Sequence, residues 1–261
     1  MVSVGFIGVG RMGSALISGF TAKGLLRPAD IRAYDPDTRR LSSLNIHSEY
    51  SAFEVVEKSD VVFLCVKPRD LEGVLDEIKD VAGSRLIVSI VAGVSTCKIE
   101  SKLREARVVR VMPNTPAVIY EAASAYCLGS RVLPEDDVFV GSLLNSVGVA
   151  YKVREELMDA VTALSGSGPA YVYYVAEALV AAGVREGLSE EVSMNLVQQT
   201  LRGAAGMLSA TGKKPAELID EVRSPGGTTV EALKVLDKRD VAKAFADAVK
   251  AAAKKSRQLG K

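Results

Sequence analysis

Three glycines, Gly8, Gly10 and Gly13, follow directly on the β-rich run Val2–Ile7 in the spacing G-x-G-x-x-G. In that context each has its own task. The first permits a tight turn, the second lets a ligand approach the backbone, and the third lets helix and strand pack closely. Arg11 and Met12 lie between them at the head of the next helix, where free amides and the positive dipole end suit a pyrophosphate. The chemistry expected is dinucleotide binding, NAD(H) or NADP(H). A second β-rich run ends at Tyr34-Asp35, about 20 residues beyond the glycines, where a carboxylate accepts from a ribose 2′-hydroxyl and repels a 2′-phosphate. Asp35 thus favours NAD. Arg39 and Arg40, just beyond, can pair with a 2′-phosphate and favour NADP, and the sequence leaves both open.

Three further strand ends would face the same ligand edge: Val66-Lys67-Pro68, Val91-Ala92-Gly93 and Met112-Pro113-Asn114-Thr115-Pro116. Val66, Lys67, Ala92, Met112 and Asn114 are therefore candidate cofactor contacts, the proline-bounded Asn-Thr pair being a stiff polar loop suited to the nicotinamide half. In the second half of the chain, Arg223-Ser224-Pro225-Gly226-Gly227-Thr228-Thr229 runs into a helix beginning near Thr228. Backbone N–H groups at such a helix start hold a carboxylate without any cationic side chain. The competing reading is a plain interhelical turn capped by Thr228. Two glycines beside two threonines go beyond what a turn requires.

The elements that must position these residues divide the chain in two. Candidate strands at Val2–Ile7, Ile31–Tyr34, Val61–Val66, Leu86–Ile90, Val108–Met112 and Ala123–Leu128 alternate with helical stretches at Ser14–Gly24, Ala52–Lys58, Asp70–Val81, Cys97–Glu105 and Pro134–Val147. That alternation predicts βαβ units and a parallel sheet. Beyond Arg154 the pattern is helical only, at Glu155–Leu164, Ala170–Ala182, Glu190–Ala210 and from Thr228 onward. The expected fold is α/β, a Rossmann-type dinucleotide-binding domain over 1–153 followed by an all-α domain over 154–261. Ala170–Ala182 (AYVYYVAEALVAA) is apolar nearly all round, and a helix of that kind must be covered on most faces. A second copy of the chain is the expected cover, giving a homodimer.

Composition removes other classes. The 261 residues carry 33 Lys+Arg against 32 Asp+Glu, so no basic excess points to nucleic acid or an anionic membrane. No apolar run reaches the roughly 20 residues of a membrane helix. The start, MVSVGFIGVG, reads as a strand and not as a signal peptide. Cys65, Cys97 and Cys127 have neither disulfide nor zinc spacing and read as reduced core thiols of a cytoplasmic protein. The single histidine, His47, lies in a polar stretch, so neither a metal cluster nor a Ser-His-Asp triad is expected. Catalysis then falls to a cofactor.

Four segments together resemble pyrroline-5-carboxylate reductase: LIDEVRSPGGTTVEALKVLD, LSGSGPAY at Leu164–Tyr171, CVKP at Cys65–Pro68 and VMPNTPA at Val111–Ala117. They occur in the family's order, and the resemblance spans essentially the whole chain. It implies NAD(P)H-dependent reduction of 1-pyrroline-5-carboxylate to L-proline, the last step of proline biosynthesis. It further implies helical domains that interlock into dimers, often assembled into decamers, with the substrate loop serving a partner's cofactor. In residues, it implies that Ser224, Gly226, Gly227 and Thr228 hold the carboxylate. Thr229 hydrogen-bonds the ring nitrogen, and Glu155 lies near the ring. The chain departs from the family at Ala52, where an Asn often contacts the ribose.

Imine reduction suits these residues, since the cofactor supplies the hydride and the ring nitrogen becomes a basic amine that a weak donor such as Thr229 can serve. Two rival readings are a β-hydroxyacid-dehydrogenase-like oxidoreductase and a non-catalytic NAD(P)-binding protein. The first needs a lysine on the helix after Gly168, which reads PAYVYYVAEALV without one. The second gives no reason to keep SPGGTT and MPNTPA together.

Overall fold

The computed structural model describes residues 2–259; residues 1, 260 and 261, the outer ends of the expected domains, lie outside the described residues. Among the described residues, eight strands form one sheet: β1 Val4–Ile7, β2 Ile31–Tyr34, β3 His47–Ser48, β4 Val61–Leu64, β5 Leu86–Ser89, β6 Arg107–Met112, β7 Ala122–Leu128 and β8 Gly148–Lys152. Their order is β3-β2-β1-β4-β5-β6-β7-β8, and every pair is parallel except β6 with β7. All six expected strands form, Ile31–Tyr34 with the expected bounds and the others with one end moved by one or two residues.

Alternate residues of one strand feed opposite layers. Val4 and Phe6 pack beneath α1 (Arg11–Ala22) and α5 (Pro134–Ser146) with Leu16, Phe20, Val140 and Leu144, while Ile7, Val62 and Leu64 pack beneath α2 (Ala52–Glu57) and α3 (Leu71–Ala82). Phe6 stacks on Phe63 with ring centroids 4.8 Å apart. Both layers are apolar because both faces of the parallel region are covered, which is why these strands read as continuous hydrophobic runs.

Two strands depart from expectation. The two residues of β3 are exposed and pair only with β2, too short for any alternation to register. Strand β8 is the far edge of the sheet, held by β7 alone, and its exposed Val149 and Tyr151 give no buried face to detect.

By compactness the described residues fall into two units, 2–169 together with 250–259, and 170–249. Within the first, α4 (Thr96–Lys102) follows β5. The expected helix Glu155–Leu164 is instead a 3₁₀ turn at Glu155–Leu157, a single turn α6 (Met158–Val161) and a π-helical turn at Thr162–Gly166. The remaining helices are α7 (Gly168–Arg185), α8 (Glu190–Thr211), α9 (Pro215–Val222), α10 (Thr228–Lys238) and α11 (Val241–Leu259). Pro215 at the first helical position starts α9, which falls between the expected helices Glu190–Ala210 and Thr228 onward. The run from Thr228 onward is two helices, interrupted at Asp240 with its positive φ of 51°. Beyond Arg154 no strand occurs among the described residues.

Much of the apolar surface of α7 is exposed among the described residues, Tyr173 and Tyr174 being 64% and 73% exposed and Val180 its one buried residue. Cys127 is buried and Cys65 half-buried, but Cys97 is exposed, because α4 turns Thr96 and Ile99 inward and leaves Cys97 on its other side. The expectation of three core thiols therefore fails at Cys97. Burial pushes the Cys65 thiol up, and burial together with the nearby Glu155 charge pushes Cys127 up to about 12.

Candidate active site

Strand order reverses at β1, whose neighbours β2 and β4 carry the chain in opposite directions, and ligands of open α/β sheets bind outside the strand ends at such a point. A cleft of about 710 Å³ lies there, lined among others by Gly8, Gly10, Asp35, Arg40, Val66 and Lys67.

Each glycine of the turn is required differently. Gly8 has a φ of +93°, its N–H donates to the Tyr34 carbonyl at 2.8 Å, and a Cβ there would lie 2.7 Å from the Cys65 carbonyl oxygen. At Gly13 a Cβ would run into the Gly8 carbonyl oxygen. At Gly10 a Cβ would meet nothing within 4 Å, so its side faces open space. Gly10 also begins α1, and no side chain caps the first amides of that helix, which has no acidic residue in its first turn. An open backbone surface with uncapped amides and a positive dipole end fits a pyrophosphate.

Asp35 is 3% exposed and tied into the turn. Its Oδ2 accepts the Val9 N–H at 2.7 Å and its Oδ1 the Asp37 N–H at 2.9 Å. Arg40 Nη1 lies 3.3 Å from Asp35 Oδ2 and lines the cleft. Arg39, 89% exposed, turns to Asp37 instead, its Nε donating to Oδ1 at 2.8 Å, and does not line the cleft. Sequence spacing gave the two arginines equal standing. Tyr34, the short turn before α3 at Arg69 and Asp70, and the first turns of α3 at Gly73 and Glu77 also line the cleft, and no motif marked them.

Arg11 and Met12 face a second hollow of about 390 Å³, shared with Ser14, Ala15, Thr115 and Val118. The Met112–Pro116 loop therefore does reach the glycine-rich turn, through Thr115. Met112 and Asn114 point inward, at 8% and 7% exposure. Asn114 bonds Ala123 and Ser165, and Met112 joins Cys127 and Met158 in a small apolar cluster against which Ala92 packs.

Glu155 is likewise engaged. Its carboxylate accepts the Thr96 N–H at 2.8 Å and the Thr96 hydroxyl at 2.5 Å, with Arg110 Nη1 3.3 Å away. Arg110, buried on β6, also faces Asp159 at 3.8 Å, and Asp159 accepts from Ser256 at 2.6 Å. Nothing in the sequence signalled this network, since Arg110 sits in a strand that otherwise reads as core.

In the second unit, Ser224–Gly227 forms a turn closed by the Gly227 N–H donating to the Ser224 carbonyl at 2.9 Å, with Gly226 at a φ of +71°. Gly227 begins α10 with no side-chain cap. No side chain caps this start, against the competing reading of a turn capped by Thr228, and the amides that follow Gly227 remain open, as an anion site needs. Thr229 is half-buried and lines an apolar cavity of about 430 Å³ with Met207, Leu208, Leu218, Val222 and Leu233. Among the described residues no group of three or more His, Cys, Asp or Glu is placed to hold a metal ion. No helix of the described residues is long and apolar enough to cross a membrane.

Residues 155–259 match the family described as pyrroline-5-carboxylate reductase dimerisation, and residues 3–93 match one described as NADP oxidoreductase, coenzyme F420-dependent. Pyrroline-5-carboxylate reductase of Methanosarcina acetivorans is 42% identical over 264 residues, covering 99% of this chain and 98% of its own length. The Arabidopsis thaliana enzyme of that name is 41% identical, with 98% and 95% covered. Among solved structures, Plasmodium falciparum pyrroline carboxylate reductase with NADP bound superposes with a TM-score of 0.94 at 36% identity, covering 100% of this chain and 98% of that one.

Proposed function

This chain belongs to the pyrroline-5-carboxylate reductase family, and on that footing we propose how its own residues carry the reaction, the NAD(P)H-dependent reduction of 1-pyrroline-5-carboxylate to L-proline. It is an oxidoreductase acting on a C=N bond. The observation that carries the reading is overlap with reductases of this name along nearly the full chain at about 40% identity.

When bound, the reduced nicotinamide supplies a hydride to the imine carbon, and the electron pair of the C=N π bond passes to the ring nitrogen, which takes up a proton. The uncapped amides from Gly10 to Gly13 hold the pyrophosphate, with Gly8 making the turn that aims them. Arg40, backed by Asp35, meets the adenosine ribose and favours NADPH over NADH. Arg39 adds only positive potential from outside the cleft. Val66 and Lys67 border the middle of the cofactor, while Ala92, Met112 and Asn114 build the wall behind its nicotinamide half.

On the substrate side, the amides around Ser224, Gly226, Gly227 and Thr228 bind the carboxylate, because an uncapped helix start holds that anion without a lysine or arginine. Thr229, one residue further along α10, orients the ring nitrogen and donates to it. Glu155 acts by fixing Thr96 and the loop after β5, not as an acid.

The division of labour follows the expected domains, cofactor on 1–153, substrate and assembly on 154–261. The chain forms homo-oligomers through its C-terminal helices, consistent with the exposed apolar surface of α7. Decamers and a cytoplasmic location are the finer proposals, to be tested by light scattering and cell fractionation.

The test of function is loss of reduced-nicotinamide absorbance with pyrroline-5-carboxylate set against a 2-keto and a 3-keto acid. Rapid oxidation with the imine alone is expected. Turnover of the keto acids alone would favour the dehydrogenase reading, and binding without any turnover the non-catalytic one.

A further inference from the structure

Asn114 is nearly sealed from solvent, and both ends of its side-chain amide are used inside the protein. Its Oδ1 accepts the Ala123 N–H at 2.9 Å, at the start of β7, and its Nδ2 donates to the Ser165 carbonyl at 3.0 Å. That carbonyl belongs to the turn Thr162–Gly166, where the chain widens into π geometry just before α7. Such widening disturbs the regular ladder of main-chain bonds and is frequent at functional sites. Met112 packs the other side of this turn closely enough to require glycine at 166. A Cβ on Gly166 would stand 3.3 Å from Met112 Sδ, tighter than ordinary van der Waals contact. Residue 114 thus holds the 162–166 turn by one hydrogen bond, and residue 112 leaves no room for a side chain at Gly166.

The next residue after Asn114 faces the other way. Thr115 lines the hollow that it shares with Arg11 and Met12 at the head of α1. Moving Asn114 must therefore move Thr115 against the glycine-rich turn.

We propose that Asn114 is a positioning residue for hydride transfer, locking the 162–166 turn to the loop between β6 and β7 so that Met112 and Thr115 keep their places. It does this without touching the cofactor itself. The proposal rests on the reading above, in which this loop serves the nicotinamide half. Displacements of about 1 Å at that end cost on the order of 100-fold in rate, which is the scale on which one lost brace is felt.

Asn114→Asp tests it most closely. The shape and the acceptor for Ala123 remain, but an oxygen replaces the N–H donor that faces the Ser165 carbonyl, leaving acceptor against acceptor. The expected result is a kcat for imine reduction lower by about 10- to 100-fold. The isotope effect on kcat with 4-deuterated NADPH should rise, while 2′,5′-ADP binds as it does to the wild type. Gly166→Ala, which presses on Met112 and leaves both hydrogen bonds in place, should reproduce the loss in milder form, and it carries the same readouts if Asn114→Asp does not fold. A variant that melts earlier yet keeps wild-type kcat and isotope effect per folded subunit overturns the proposal, as does a parallel loss of 2′,5′-ADP affinity. A wild-type protein that fails to reduce the imine with NADPH defeats the functional reading itself, so the two failures are separable.

Discussion

The Asp35 carboxylate accepts the Val9 N–H at 2.7 Å, which makes the acidic residue at the end of β2 a brace for the glycine-rich turn. Its other oxygen is taken by the Asp37 N–H, and Arg40 stands 3.3 Å away. A carboxylate so occupied has little left for a ribose hydroxyl. The guanidinium beside it, 51% exposed and lining the cleft, offers donors for a phosphate. Replacing Arg40 with Ala should weaken NADPH binding by about 10- to 100-fold, equivalent to roughly 1.4–2.7 kcal/mol. NADH binding should change by no more than about 3-fold, as expected of a group with no 2′-phosphate to meet. Fluorescence titration of both dinucleotides decides it. Equal losses would mean that Arg40 only balances Asp35.

Gly10 and Gly13 should respond to alanine in opposite ways. A Cβ on Gly10 meets no protein atom within 4 Å and its φ of −71° suits any residue, so the cofactor-free Gly10→Ala protein should melt as the wild type does. Its NADPH affinity should nevertheless fall, because the methyl group would occupy the surface a pyrophosphate approaches. Gly13→Ala drives a methyl group into the Gly8 carbonyl oxygen and should cost about 1–3 kcal/mol of stability, as overpacking does. Calorimetry with and without NADPH separates the two, and a destabilised Gly10→Ala would contradict the assignment.

Legibility followed how local each feature is. The turn Gly8–Gly13 could be read outright, since spacing and backbone demand lie within six residues. So could β1, β2 and β4 to β7, most plainly β4 and β5, whose two covered faces make them continuous apolar runs. Strands β3 and β8 escaped because an edge strand has no buried face to leave a period. The bonds of Asn114 to Ala123 and Ser165 were invisible for another reason. An Asn-Thr pair between prolines reads as a polar loop, and only the fold tells which of the two turns inward. Arg39 and Arg40 differ by a turn of the chain that no spacing rule resolves. For Ser224–Thr229 the sequence could name an uncapped helix start, and the structure bears that out at Gly227.

Thr229→Ala should separate chemistry from binding. Its hydroxyl is the proposed donor to the ring nitrogen, whereas the cofactor is assigned to other residues, so kcat should fall by roughly 10- to 100-fold or more, as loss of a positioned proton donor does. NADPH affinity should stay at the wild-type value. Steady-state kinetics with the imine, together with cofactor titration, provides both numbers. A wild-type kcat would remove Thr229 from the mechanism and leave the amides of the Ser224–Thr228 turn as the whole of the substrate site.

Acid stability should depend on Glu49. Its side chain is 6% exposed, with Arg32 Nη1 at 2.7 Å and Lys58 Nζ at 2.6 Å. Burial alone would raise its pKa, but the hydrogen bonds from Lys58 and Arg32 outweigh that and hold the carboxyl below the usual value. A folded-state pKa below the unfolded value of about 4.3 gives stability that is full above that pH and is lost as pH falls through the folded value. Glu49→Gln should therefore cost about 1–3 kcal/mol at neutral pH, less than breaking a wholly buried pair because Arg32 and Lys58 can turn to solvent. The difference between variant and wild-type Tm should shrink steadily as pH drops below about 4, where the native carboxylate is itself protonated. A Tm difference that is the same at pH about 7 and about 3 would mean that glutamine disturbs packing and that the charge of Glu49 contributes nothing.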